Sequence, residues 1–233
     1  MNNRQIFIFL SAVAAIAIGL ASLQAPDEDL RVDRSKIDEI PVTVFRSAQG
    51  KEGPVILIAH GFAGSQQLMQ PMAATLAHSG YTAVTFDFAG HGRNEQPLSG
   101  GIKDFTKSEA ALNAEIARMI QFAHTLSGGD QPLGLVGHSM ASNLVIHAAI
   151  GRDDVAGVVA LSAFGTGVTA TEPRNLLVID GAWEPEAVKE AGLRIINAAS
   201  SGPAQEHVAY GDVEQGTARR FVLAGGAEHI GVI

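Results

Sequence analysis

Few residue types in this chain can do chemistry. It has 233 residues, with 8 histidines and no cysteine. That removes a thiol nucleophile, a thiolate metal site and a disulfide framework together. The histidines show no metal-ligand spacing, neither His-x-Glu nor two histidines four apart on a helix, so no metal or other cofactor is expected. What remains is hydroxyl, imidazole and carboxylate. Ser139 stands in Gly137-His138-Ser139-Met140-Ala141, between an apolar run and a helix-like stretch. A hydroxyl on such a turn is either a nucleophile awaiting a base or a helix cap. His60-Gly61, Asp180-Gly181 and the late His229 follow other apolar runs.

Those runs are the elements that must position the chemistry. Short apolar segments at 41–45, 54–60, 82–88, 132–136, 155–161, 175–180 and 220–224 read as strands. Between them, helical spacing of Leu68, Met72, Ala73 and Leu76 predicts a helix over 66–79, starting there or at Pro71. Leu112, Ile116, Met119, Ile120 and Ala123 predict another, capped by Ser108 and ending near Leu126. A helix follows the Ser139 turn, and one more begins near Pro185. Residues 89–107 read as a loop. Buried strands alternating with amphipathic helices predict an α/β fold, a doubly wound, mostly parallel sheet with helices on both faces. Chemistry in such sheets sits at the carboxyl ends of the strands. His60-Gly61, Gly137-His138-Ser139 and Asp180-Gly181 therefore meet at one edge.

The pentapeptide around Ser139, set between strand and helix, resembles the nucleophile elbow G-x-S-x-G of the α/β-hydrolase family, with Ala141 in place of the last glycine. His60-Gly61-Phe62 resembles the family's oxyanion loop. The segment from Asp87 to Gly92 resembles its D-x-x-G-H-G stretch, taken as architectural, with His91 a minor alternative base. The resemblance implies that Ser139 is the nucleophile and that the Phe62 and Met140 backbone N–H groups form the oxyanion hole. His60, Gly61 and His138 would support that loop. The family's chain order implies a late base, His229, with His207 as the alternative, and an acid after the strand at 175–180. Glu184 matches the acid's place; Asp180 and Asp212 are alternatives, and helix N-terminal charge is a structural role open to Glu184.

The resemblance covers residues 40–233 and leaves no room for a lid between 161 and 175. It is nearest to lidless dienelactone-hydrolase-like and esterase-like members. A serine in place of their cysteine, or of the aspartate in epoxide hydrolases, implies carboxylic esters or thioesters. Relatives continue into a covering helix after the histidine, so the domain is expected to lack its last helix and the natural protein to continue. A non-catalytic binding module of the same fold is the competing function. Peptidase and acyltransferase variants use the same machinery.

The amino terminus carries a different message. Ile6–Leu23 is uncharged throughout and about 27 Å long as a helix, near the thickness of a bilayer's hydrocarbon core. Arg4 precedes it and Asp27, Glu28 and Asp29 follow, which predicts an N-terminus inside and the rest exported. Residues 1–25 are thus expected to be a membrane anchor or a signal peptide cut after Ala21, with 26–39 as linker. The domain would then sit outside the cytoplasm, anchored by residues 6–23 or released. A net charge of −8 leaves no basic field for nucleic acid. Oligomeric state is not legible.

Overall fold

The computed structural model describes residues 9, 11–16, 29–50, 53–101, 103–128, 131–163, 175–181, 183–199, 205–206 and 218–223. In chain order the strands and helices are β1 Leu30–Ile37, β2 Ile40–Ser47, β3 Val55–Ala59, α1 Gln66–His78, β4 Thr82–Phe86, α2 Phe105–Leu126 and β5 Leu133–His138. Then follow α3 Met140–Ala149, β6 Val155–Leu161, β7 Leu176–Gly181, α4 Glu186–Ala199, β8 Gln205–Glu206 and β9 Ala218–Leu223. The strands form one sheet in the order β1-β2-β4-β3-β5-β6-β7-β9-β8. β1 with β2 and β2 with β4 are antiparallel; every other pair is parallel.

The two faces follow from the period-two alternation of strand side chains. Leu57 of β3, Val84 and Phe86 of β4, Leu135 of β5 and Val178 of β7 pack with Ile116 and Met119 of α2, Val145 of α3 and Ile196 of α4. Their neighbours Ile58, Ala83 and Val136 point the other way, onto Met69, Ala73 and Ala77 of α1. Leu57 and Ile58 are both fully buried, which is why 54–60 reads as a continuous apolar run. Each such side chain contributes about 1.5–3 kcal/mol when removed from water.

Three local expectations need correction. The linker read over 26–39 contains a strand: β1 pairs along its whole length with β2. Its charged residues suit an edge strand with one neighbour, and Arg46 bonds Asp33 across the pair at 2.9 Å. The connecting Asp38 and Glu39 both have positive φ, 48° and 69°, as a type I′ hairpin turn requires. Neither is the glycine or asparagine that usually marks that turn. The second correction is the cap of α2, which is Asp104 rather than Ser108; its carboxylate accepts the Lys107 N–H. Ser108 lies inside the first turn and donates to the carbonyls of Gly101 and Asp104. α1 starts at Gln66, as read over 66–79, and not at the alternative Pro71, so the proline sits within the helix. The last is that β9 starts at Ala218 rather than 220, with the short β8 beside it.

Residues 9 and 11–16 are helical and exposed. Among the described residues no helix is long and apolar enough to cross a membrane. Most of the 6–23 run lies outside the described residues, as does the chain beyond Leu223 where the last helix was expected to be missing.

Candidate active site

The elbow is built from backbone. β5 ends at His138, α3 begins at Met140, and Ser139 between them has φ 53° and ψ −116°. A residue with a Cβ holds such a conformation only when its surroundings over-determine it. Here they do. The Ser139 N–H donates to Leu161 O at the end of β6, 2.8 Å away. Its carbonyl accepts from the N–H of Ser142 at 2.9 Å and from its hydroxyl at 2.5 Å. The Ser139 side chain makes no capping bond to the helix, so the helix-cap reading does not describe it.

Glycine at 137 is required by space. A Cβ there would lie 2.3 Å from the Ala141 carbonyl oxygen and 2.6 Å from Val145 Cγ2. The Ala141 methyl, which replaces the glycine of the G-x-S-x-G pattern, is fully buried in the core beneath the turn.

The loop after β3 lies directly against Ser139. A Cβ on Gly61 would come within 2.9 Å of both Ser139 Cβ and His138 Nδ1. Only glycine lets the backbone of His60–Phe62 approach so closely. His60 is fully buried and braces the loop. Its Nε2 accepts the Phe88 N–H at 3.2 Å, so the ring proton sits on Nδ1 and is donated to Gly61 O at 2.8 Å. Burial lowers the His60 pKa to about 4, so the ring is neutral at physiological pH. His138 is buried beneath the same loop. Phe62 is half exposed at the rim. Met140 is the first residue of α3, where helical N–H groups lack intrahelical acceptors.

The Asp87–Gly92 segment is organised by one carboxylate. Asp87 Oδ1 accepts the Gln66 N–H at 2.8 Å; Oδ2 accepts Gln66 Nε2 at 2.7 Å and the Arg93 N–H at 3.0 Å. Its carbonyl takes Asn94 Nδ2 at 2.9 Å. Gly92 has φ 52°, and a Cβ there would be 2.2 Å from Asp87 Oδ1. Asp87 thus joins the start of α1 to the loop after β4, a structural task.

The two nearer acid candidates face different ways. Asp180 shares the parity of Leu176 and Val178 and points into the layer of α4. A Cβ on Gly192 would sit 2.3 Å from its Oδ2, and Ala163 N–H donates to its Oδ1 at 3.4 Å. Glu184 lies beyond the strand end and is nearly buried. Its Oε1 accepts the Ser162 hydroxyl at 2.6 Å. Ser162 directly follows Leu161, whose carbonyl holds the Ser139 N–H. Glu184 is therefore two links from the elbow across the β6 end. His229, His207 and Asp212 lie outside the described residues. β9, which precedes His229 in the chain, ends at Leu223 in register with Gly181, so its carboxyl end shares the edge that carries Glu184.

Two residues of this neighbourhood carry no motif. Ser162 has a positive φ of 48° after β6, a conformation with no sequence signal in a serine. Glu115 does leave one, a carboxylate on the apolar stripe of α2 between Leu112 and Ile116. It is nearly buried, accepts the Ala89 N–H at 3.0 Å, and burial raises its pKa. Among the described residues, no three His, Asp or Glu side chains are grouped to hold a metal ion.

Comparisons with known proteins agree with this geometry. The family described as alpha/beta hydrolase fold matches residues 54–185. A thermostable monoacylglycerol lipase from Bacillus sp. (strain H-257) is 26% identical over 114 residues, 48% of this chain and 42% of that one. The matched stretches span less than half the length of the curated relatives. Among solved structures, TT1662 from Thermus thermophilus superposes with a TM-score of 0.61 at 16% identity, covering 84% of this chain and 90% of that one. A putative dienelactone hydrolase from Klebsiella pneumoniae gives 0.60 at 14% identity, covering 86% and 88%. Since the family match takes in more than half of the chain, from the strand before His60 to the residue after Glu184, this protein belongs to the alpha/beta hydrolase fold family.

Proposed function

We propose that the protein is a serine hydrolase that cleaves carboxylic esters or thioesters through Ser139, His229 and Glu184. The observation that carries this reading is the elbow itself: a strained Ser139 with no capping bond, under a loop that only Gly61 allows so near. Ser139 Oγ attacks the carbonyl carbon while His229 takes its proton. The carbonyl oxygen becomes an oxyanion, stabilised by the N–H groups of Phe62 and Met140. Glu184 orients the imidazole and stabilises its cation, and Ser162 holds Glu184. Collapse expels the alcohol or thiol, which receives the proton from His229. Water, deprotonated by His229, then attacks the acyl-enzyme, and the carboxylic acid leaves as Ser139 regains its proton.

Two exposed aromatic side chains flank this site. Phe62 is on the β3 side and Trp183, 62% exposed, adjoins Glu184 on the β7 side. Their exposed area favours substrates with an apolar acyl group. The apolar run at 6–23, with its charge order, supports a domain held at or released from the outer face of a membrane.

The test is fluorophosphonate labelling of the full chain, read by intact mass beside Ser139→Ala. Labelling of the wild type that the variant loses is the expected result. Equal absence from both would overturn the catalytic reading in favour of a binding module.

A further inference from the structure

The loop after β4 is anchored at two places, and the second has no part in the mechanism above. Asp87 holds its far end through Arg93 and Asn94. Its near end is held from the opposite layer, where Glu115 Oε2 accepts the Ala89 N–H at 3.0 Å. The Ala89 carbonyl in turn accepts the His91 Nδ1–H at 2.9 Å. So one residue, Ala89, is fixed by a helix on one side and fixes an imidazole on the other. That imidazole is wedged against the candidate oxyanion loop. Its ring centroid is 5.3 Å from that of His60 and 5.3 Å from that of Phe62, the latter contact edge-to-face at 79°. His60 and Phe62 bracket Gly61, which rests on Ser139.

We propose that Glu115 and His91 are positioning residues for the oxyanion loop: Glu115 fixes Ala89, Ala89 orients His91, and His91 holds Phe62 in place over Ser139.

A carboxylate on the buried stripe of α2 is unfavourable for the core alone, because burial penalises its charge. The cost is offset where it fixes a loop that an apolar side chain could not grip. Edge-to-face ring contacts are directional, so a rotated His91 would release Phe62 and with it the N–H proposed to meet the oxyanion. The catalytic consequence rests on the serine-hydrolase reading; the mechanical coupling does not. The experiment separates them.

Hydrogen–deuterium exchange on the full chain compares wild type, Glu115→Leu, Glu115→Gln and His91→Ala. Glu115→Leu should speed exchange at least tenfold in peptides covering 88–92 and also 60–64. Glu115→Gln, which keeps an acceptor oxygen for Ala89, should stay within threefold of wild type. His91→Ala should speed exchange at 60–64, and as a partly exposed residue it serves if Glu115→Leu does not fold. On a soluble acetate ester, Glu115→Leu should lower kcat about tenfold with KM within twofold, while Glu115→Gln restores it. That is a fraction of the roughly 10²–10³-fold cost of deleting an oxyanion donor. Exchange that rises at 88–92 but not at 60–64 in Glu115→Leu, or stays unchanged at 60–64 in His91→Ala, overturns the strut. So does a Glu115→Gln as perturbed as Glu115→Leu. Coupled exchange in a protein whose Ser139 does not label would uphold the strut and refute the hydrolase reading.

Discussion

Replacing Ser139 by glycine should stabilise the fold relative to replacing it by alanine. Ordinary Ala-to-Gly exchanges go the other way, costing about 0.5–1 kcal/mol in backbone entropy. At Ser139 the backbone sits at φ 53° and ψ −116°, a conformation that costs a residue with a Cβ about 1–3 kcal/mol. Alanine keeps that cost and glycine does not. The bonds that hold the turn, to Leu161 O and from Ser142, use the Ser139 backbone and survive in both variants. Subtracting the entropy from the strain, each at its midpoint, leaves a net gain of about 1 kcal/mol for glycine. In a domain of this size that corresponds to roughly 2–4 °C in Tm. The assay is urea and thermal unfolding of the two full-length variants by far-UV circular dichroism. A Ser139→Gly protein no more stable than Ser139→Ala would refute the argument that tertiary contacts hold this residue under strain.

Three further outcomes follow from named groups. His60 titrates near 6.5 when unfolded but at about 4 when folded. The unfolded chain therefore binds the extra proton between those values, and stability falls as pH drops from 6.5 to 4, by about 3 kcal/mol in all, with no contribution above pH 6.5. Unfolding free energies of wild type and His60→Gln across that window should differ in slope by this amount, and parallel curves would refute it. Glu184→Gln should lower kcat on a soluble ester by about 10³–10⁴, the scale of losing the orienting carboxylate, whereas Asp180→Asn, facing α4, should cost less than tenfold; the reverse order would move the acid to Asp180. Trp183→Ala should reduce kcat/KM for an octanoate ester about tenfold while leaving the acetate ester within twofold, and an equal fall for both would remove Trp183 from acyl binding.

Much of this was legible in the residues alone, for identifiable reasons. A strand buried on both faces tends to be apolar at nearly every position, so 54–60, with Leu57 and Ile58 both fully buried, announced itself, and with it the parallel sheet. The elbow was legible because its demands are local: a small residue at 137, a serine, a helix start. The close approach that Gly61 permits left a glycine in the sequence. β1 was not legible, because an edge strand with one partner needs no apolar pattern, and its turn is made by Asp38 and Glu39 in glycine's conformation. The cap of α2 was misplaced because Asp104 and Ser108 are both capping residue types; the helix begins early enough that Asp104 accepts the Lys107 N–H while the Ser108 hydroxyl turns to the Gly101 and Asp104 carbonyls.

The sequence by itself determined the fold class, the family and the turn that carries Ser139, because each depends on neighbours in the chain: strand parity, helix spacing and turn sterics. Only tertiary structure decided which way the carboxylates point. Asp180 and Glu184 are four residues apart and chemically alike, yet the packing of α4 sets Gly192 against one while the end of β6 brings Ser162 to the other. The partnership of Glu115 with Ala89, 26 positions apart, belongs to the same class. Such pairings arise where separate elements meet at the sheet edge, and no local spacing encodes them.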